Sequence, residues 1–128
     1  MFTSARSPEL SEGRRTLPPL VSHDRGRAVI WLGGEHDIAT VALLRDTLAG
    51  VISDGSADVV VDLQRVTFID AAVIGAMLDG REALVRQSRR FSLRSPSTCA
   101  MHVLTLCGLS GLVESASSLP HERTSEKR

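Results

Sequence analysis

Val59-Val60-Val61-Asp62-Leu63-Gln64-Arg65-Val66-Thr67-Phe68-Ile69-Asp70-Ala71-Ala72-Val73-Ile74-Gly75 holds the densest apolar run in the chain and, directly after it, a change of local structure. Val59, Val60, Val61 and Leu63, interrupted only by Asp62, have the composition of a strand buried on both faces of a sheet, and are expected to form its central strand. After the polar pair Gln64-Arg65 the chain passes through Val66 to Ile69 and meets Asp70. An aspartate there is a good N-cap, because its side-chain oxygen accepts from the free N–H groups of a new helix. A helix is therefore predicted to open at Ala71.

On the N-terminal side, Ala28-Val29-Ile30-Trp31-Leu32 reads as a strand, and Leu20-Val21-Ser22-His23 as its hairpin partner across the polar, Gly-containing break Asp24 to Arg27. Gly33-Gly34-Glu35-His36-Asp37 is expected to break the second strand. Val41, Leu44, Leu48, Val51 and Ile52 then fall at spacings of three and four, which places them on one helical face, with Arg45 and Asp46 turned away. Ser53 to Ser56 stops this helix. The result is a β-α-β unit with an expected right-handed crossover.

On the C-terminal side, the helix after Asp70 is expected to turn Ile74, Met77, Leu78, Leu84 and Val85 towards the core and Asp79, Arg81, Glu82 and Arg86 outward. Phe91 to Arg94 is a short strand, Ser95-Pro96-Ser97 a turn, and Ala100, Val103, Leu104 and Cys107 define a third helical face. Gly108 suits its C-cap, and Leu109 to Val113 is expected to be a last short strand or loop. Residues 1–17 show no period and read as a flexible leader ended by Pro18-Pro19; residues 18–114 form the domain, and residues 115–128 a polar tail.

At 128 residues and 42% hydrophobic content, the chain suits one domain with one core. Fifteen basic and fifteen acidic side chains cancel, so no global field draws it to nucleic acid or an anionic membrane. No apolar run approaches the roughly 20 residues that span a bilayer. Met1 to Arg15 also lacks the apolar core of a secretory signal, so a cytoplasmic protein with no membrane insertion is expected. Cys99 and Cys107 fall in one predicted helix about 12 Å apart, beyond the roughly 7 Å limit for a disulfide, and read as small apolar side chains at or near the core.

The junction resembles the signature of the STAS domain, the fold of bacterial anti-sigma-factor antagonists, in which a central strand is followed by Phe-x-Asp-Ser-Ser/Thr-Gly-Leu-Gly. Phe68, Asp70, Ile74 and Gly75 sit where that family has Phe, Asp, Leu and the second Gly; Ala71, Ala72 and Val73 replace Ser, Ser/Thr and Gly. Gly34-Glu35-His36-Asp37 likewise resembles the family's Gly-Glu-Leu-Asp, with His36 in the apolar position. The resemblance runs from about Leu20 to Val113 and implies an α/β fold: a single STAS-like domain with a mixed four- to five-stranded sheet and helices packed on it. In the family the first serine after the aspartate is phosphorylated by the partner anti-sigma kinase, a position held here by Ala71. The resemblance further implies a docking surface of Asp37, Thr40, Asp70, Ala71, Ala72 and Val73. It would meet an anti-sigma factor or a histidine-kinase-like ATPase in a partner-switching network regulating transcription; the alternative is a STAS-type accessory subunit contacting the ATPase of an ABC transporter. A homodimer stays open.

No catalytic constellation assembles from the residues. His23, His36, His102 and His121 lack metal-ligand spacing, Ser110-Gly111 lacks the context of a nucleophile elbow, and Gly33-Gly34 is not followed by the lysine of a phosphate loop. A non-catalytic protein without cofactor or metal is expected. The helix opening at Ala71 is the best functional candidate, because its free N–H groups and positive dipole end suit negative charge. Thr67, the nearest upstream hydroxyl, is expected to serve strand propensity. The run Arg81, Arg86, Arg89, Arg90 and Arg94, with Glu82 the one nearby acid, reads as solvated surface able to face an acidic partner.

Overall fold

The computed structural model describes residues 16–114. Strands β1 (Thr16–Asp24) and β2 (Arg27–His36) are followed by helix α1 (Val41–Asp54), then β3 (Asp58–Ile69), α2 (Ala71–Arg86), β4 (Phe91–Arg94), α3 (Thr98–Leu106) and a short 3-10 turn, Ser110–Leu112. The four strands form one mixed sheet in the order β1-β2-β3-β4, with β1 antiparallel to β2 and both later pairings parallel. β3 lies inside the sheet, as its apolar run requires, and continues through Val66 to Ile69. The fifth strand is reduced to one parallel bridge, Leu93 to Val113, beside the 3-10 turn.

Alternation along the strands sorts the two faces of the sheet. Ala28, Ile30 and Leu32 of β2 and Val59, Val61 and Leu63 of β3 join Leu44 and Leu48 of α1, Val73, Ile74 and Met77 of α2, and Ala100 and Leu104 of α3 in one core. Each fully buried Val or Leu contributes about 1.5–3 kcal/mol, so this helix-covered face carries most of the stability. Val29 and Val60 point the other way and are also buried. On their side, the Arg94 Nε donates to Asp62 at 2.9 Å, and the Arg94 guanidinium lies 5.0 Å from the centre of the Trp31 ring, whose Nε1 donates to Ser22.

Several expectations are corrected. Gly33-Gly34 does not break β2: the strand continues to His36 through register shifts against β3, with Gly34 in the left-handed region at φ 79°. Gly33 is pressed against β1, where an added Cβ would come within 2.7 Å of Leu17 Cδ1. β1 itself opens at Thr16, inside the stretch expected as leader, and takes Pro18-Pro19 into an irregularity of its pairing. An outer strand tolerates this, because its unpaired side needs no N–H. On α2, Leu78 and Val85 are exposed, since Val73, Ile74, Ala76, Met77, Gly80 and Leu84 occupy the inward face and Gly80 packs on Leu48 of α1. Cys107, expected near the core, is exposed at the C-cap of α3, followed by Gly108 at φ 74°.

Arg89 departs most from a solvated surface. It is 5% exposed; its Nε donates to the Ala57 carbonyl and its Nη1 to the Ile52 carbonyl and to Gln87 Oε1. The guanidinium thus sits at the C-terminal end of α1, where unsatisfied carbonyls and the negative dipole end favour a cation.

Candidate functional site

β2 and β3 run parallel and finish together, with Glu35 opposite Phe68 and His36 opposite Ile69. The next residue on each strand is an aspartate, Asp37 and Asp70, and each organises the start of the following helix. Asp70 has an extended backbone, and its Oδ1 accepts from Ala72 N at 3.0 Å and Val73 N at 3.3 Å while its carbonyl accepts from Ile74 N. These bonds satisfy donors that a helix start would otherwise leave open.

Asp37 acts one step earlier than a helix cap. Its Oδ1 accepts from Ala39 N at 2.9 Å, and its backbone is clasped by Thr40: Asp37 N donates to Thr40 Oγ1, and Thr40 Oγ1 donates to the Asp37 carbonyl. Thr40 occupies the N-cap position of α1, yet its hydroxyl makes no capping bond because it faces back into this turn.

The six residues expected at a docking surface therefore divide. Ala71 is exposed at the tip of α2, and Asp37, Asp70 and Ala72 are half-buried beside it. Thr40 is nearly buried as a brace of the turn. Val73 is 0% exposed and belongs to the core, so its side chain presents no surface. An inward residue at the third position of α2 follows from the helix repeat, given that Ile74 and Met77 must also face the sheet.

Sequence reading missed the apolar rim around this tip. Ile38, in the turn after Asp37, is 75% exposed; Phe68, on the last turn-ward residues of β3, is 45% exposed; and Leu43 on α1 is also exposed. An isoleucine inside a polar turn has no core to enter, which was the available signal. Large apolar side chains collected at one end of a domain mark interaction surfaces more than scattered ones do.

His36 lies beneath the rim, 1% exposed. Its Nε2 is 2.9 Å from the Gly33 carbonyl, and since a carbonyl only accepts, Nε2 carries the proton. Burial lowers the His36 pKa from its ordinary value, against the smaller opposing pulls of the Gly33 hydrogen bond and the Asp37 charge. A neutral imidazole thus replaces an apolar side chain without leaving a buried donor unmet. Among the described residues no group of three or more His, Cys, Asp or Glu is placed to hold a metal ion, and no helix is long and apolar enough to cross a membrane; His121 lies outside the described residues.

Strand order, the aspartate-capped α2 and the turn before α1 together define the fold class. Residues 20–114 match the family model described as Mlab, STAS domain, and the chain belongs to the STAS domain family. It is 28% identical over 89 residues to the anti-sigma-F factor antagonist RsfB of Mycobacterium tuberculosis, covering 70% of this chain and 72% of that protein. Its fold is similar to that of an anti-sigma factor antagonist from Mycobacterium paratuberculosis, with a TM-score of 0.72 at 23% identity, covering 88% of this chain and 95% of that one. It is also similar to unphosphorylated SpoIIAA of Bacillus, with a TM-score of 0.69 at 24% identity, covering 80% and 91%.

Proposed function

We propose that this chain is a non-catalytic, cytoplasmic binding module of the anti-sigma-factor antagonist type, which docks an anti-sigma factor or related histidine-kinase-like ATPase through the tip of α2 and cannot be switched off by phosphorylation at residue 71. The observation that carries the reading is the exposure of Ala71 at an aspartate-capped helix start, with Ile38 in the turn after β2 and Phe68 near the end of β3 also exposed. Likeness to a protein named an anti-sigma-F factor antagonist supports the partner class. A phosphoserine at this point would add about −1.5 to −2 charges to an apolar rim. A methyl group adds none, so the docking surface keeps one state.

The test is to incubate the chain with candidate anti-sigma kinases and ATP, then to follow complex formation and added mass together. A stable complex with no phosphate at or beside residue 71 is expected. Phosphate there, or failure to bind any such kinase, contradicts the reading. Recovery of an ABC-type ATPase from the native host instead would assign the same tip to a transporter accessory subunit.

A further inference from the structure

A cavity of about 490 Å³ opens at the end of the sheet opposite the α2 tip. Arg27, Asp58 and Phe91, the first residues of β2, β3 and β4, lie on its wall, whereas Asp37 and Asp70 follow the last residues of β2 and β3. Its size is within the range of about 300–1,000 Å³ typical of small-molecule sites. The Ser110–Leu112 turn and the segment to Glu114 close one side.

Charge in this cavity is unbalanced. Four arginines line it, Arg27, Arg81, Arg89 and Arg90, against two carboxylates, Asp58 and Glu114. Several of these groups are already engaged. Arg27 pairs with Glu114, which also accepts from the Ser92 hydroxyl; Arg89 is held by the carbonyls at the end of α1; and Asp58 Oδ1 accepts from the Arg90 backbone N–H. The guanidiniums of Arg81 and Arg90 are left without a carboxylate partner among the described residues. Arg90 is fixed at its backbone, because its carbonyl accepts from Val59 N at 2.9 Å. Arg81 of α2 and Arg90, just before β4, thus line one concave space together with Val85, Phe91 and Leu112.

Exposed arginines on a convex surface are simply hydrated. In a concave space whose wall is partly apolar, a cluster of like charges focuses its potential instead. We propose that this cavity binds a small multivalent oxyanion, of the phosphoryl class, with Arg81 and Arg90 donating their paired N–H groups to its oxygens. Guanidinium forks match such oxygens in geometry as well as charge. A concave space of this size, open on one side, suits a small molecule better than a strand or helix of an acidic protein. The site stands apart from the α2 tip and does not depend on the docking reading.

Isothermal titration of the intact chain with inorganic pyrophosphate at low salt tests this. Saturable one-to-one binding is expected, weakened about tenfold by Arg81→Ala or by Arg90→Ala, the loss of one charge-assisted contact, and unchanged by Arg65→Ala on exposed β3 surface. Both lining arginines are exposed, so thermal melts of their variants should match the parent. Absence of saturable binding, equal binding by both lining variants and the parent, or tighter binding of a hexaglutamate peptide than of pyrophosphate would overturn the proposal.

Discussion

The Asp70 carboxylate and the Ala72 backbone N–H lie 3.0 Å apart, and this bond, with the longer one to Val73, fixes where α2 begins and hence that residue 71 faces solvent. Replacing the cap, Asp70→Ala, should cost about 1 kcal/mol of unfolding free energy. Urea denaturation followed by circular dichroism measures it, with a lower midpoint and unchanged slope expected.

Changes at residue 71 itself should separate stability from binding. Ala71→Ser alters an exposed site and should stay within about 0.5 kcal/mol of the parent. Ala71→Asp places a carboxylate at the positive end of α2 and should be neutral or stabilising by about 0.3–1 kcal/mol. Denaturation of both variants checks this, and a large loss in either would mean that the residue is buried against something.

His36 makes stability depend on acid. Its folded pKa lies below the ordinary 6.5 because burial disfavours the imidazolium, so the unfolded chain takes up a proton first as pH falls. Stability from this residue is complete above about pH 6.5 and declines below it, towards the lowered folded value. Denaturation at pH 7.5 and 5.5 should show the fall, and His36→Leu should reduce the difference between the two.

Arg94 neutralises Asp62, a carboxylate that is almost fully buried on the face opposite the helices. Arg94→Ala leaves that carboxylate without its cation, keeping the Gln64 N–H bond to Oδ1, and should cost about 3 kcal/mol, the low end for breaking a buried pair, because the arginine keeps partial solvent contact. Trp31 is the sole tryptophan and loses the cation above its ring, so its fluorescence should change with the same substitution.

Local rules made the centre of the fold legible. A β-branched run followed by an aspartate leaves few alternatives to strand, cap and helix, and the three- and four-residue spacing of Leu44 and Leu48 fixes the inward face of α1. What was illegible depended on neighbours distant in sequence. Gly33-Gly34 looks like a break, yet pairing with β3 carries the strand through it. Arg89 looks like its neighbours in a basic run, and only the arrival of the α1 carboxyl end gives it a buried role. At the site, Asp70 and Ala71 could be placed from sequence, whereas the burial of Val73 and the exposure of Ile38 and Phe68 required the register of the sheet.

Docking of the proposed anti-sigma partner on the α2 tip requires an uncharged residue 71. Its most direct measurement is the affinity of the anti-sigma partner for the Ala71→Asp variant relative to the parent, both shown to be folded. Charge placed against an apolar, desolvating contact should weaken binding about tenfold or more. Equal affinity for the two proteins would show that the partner binds elsewhere.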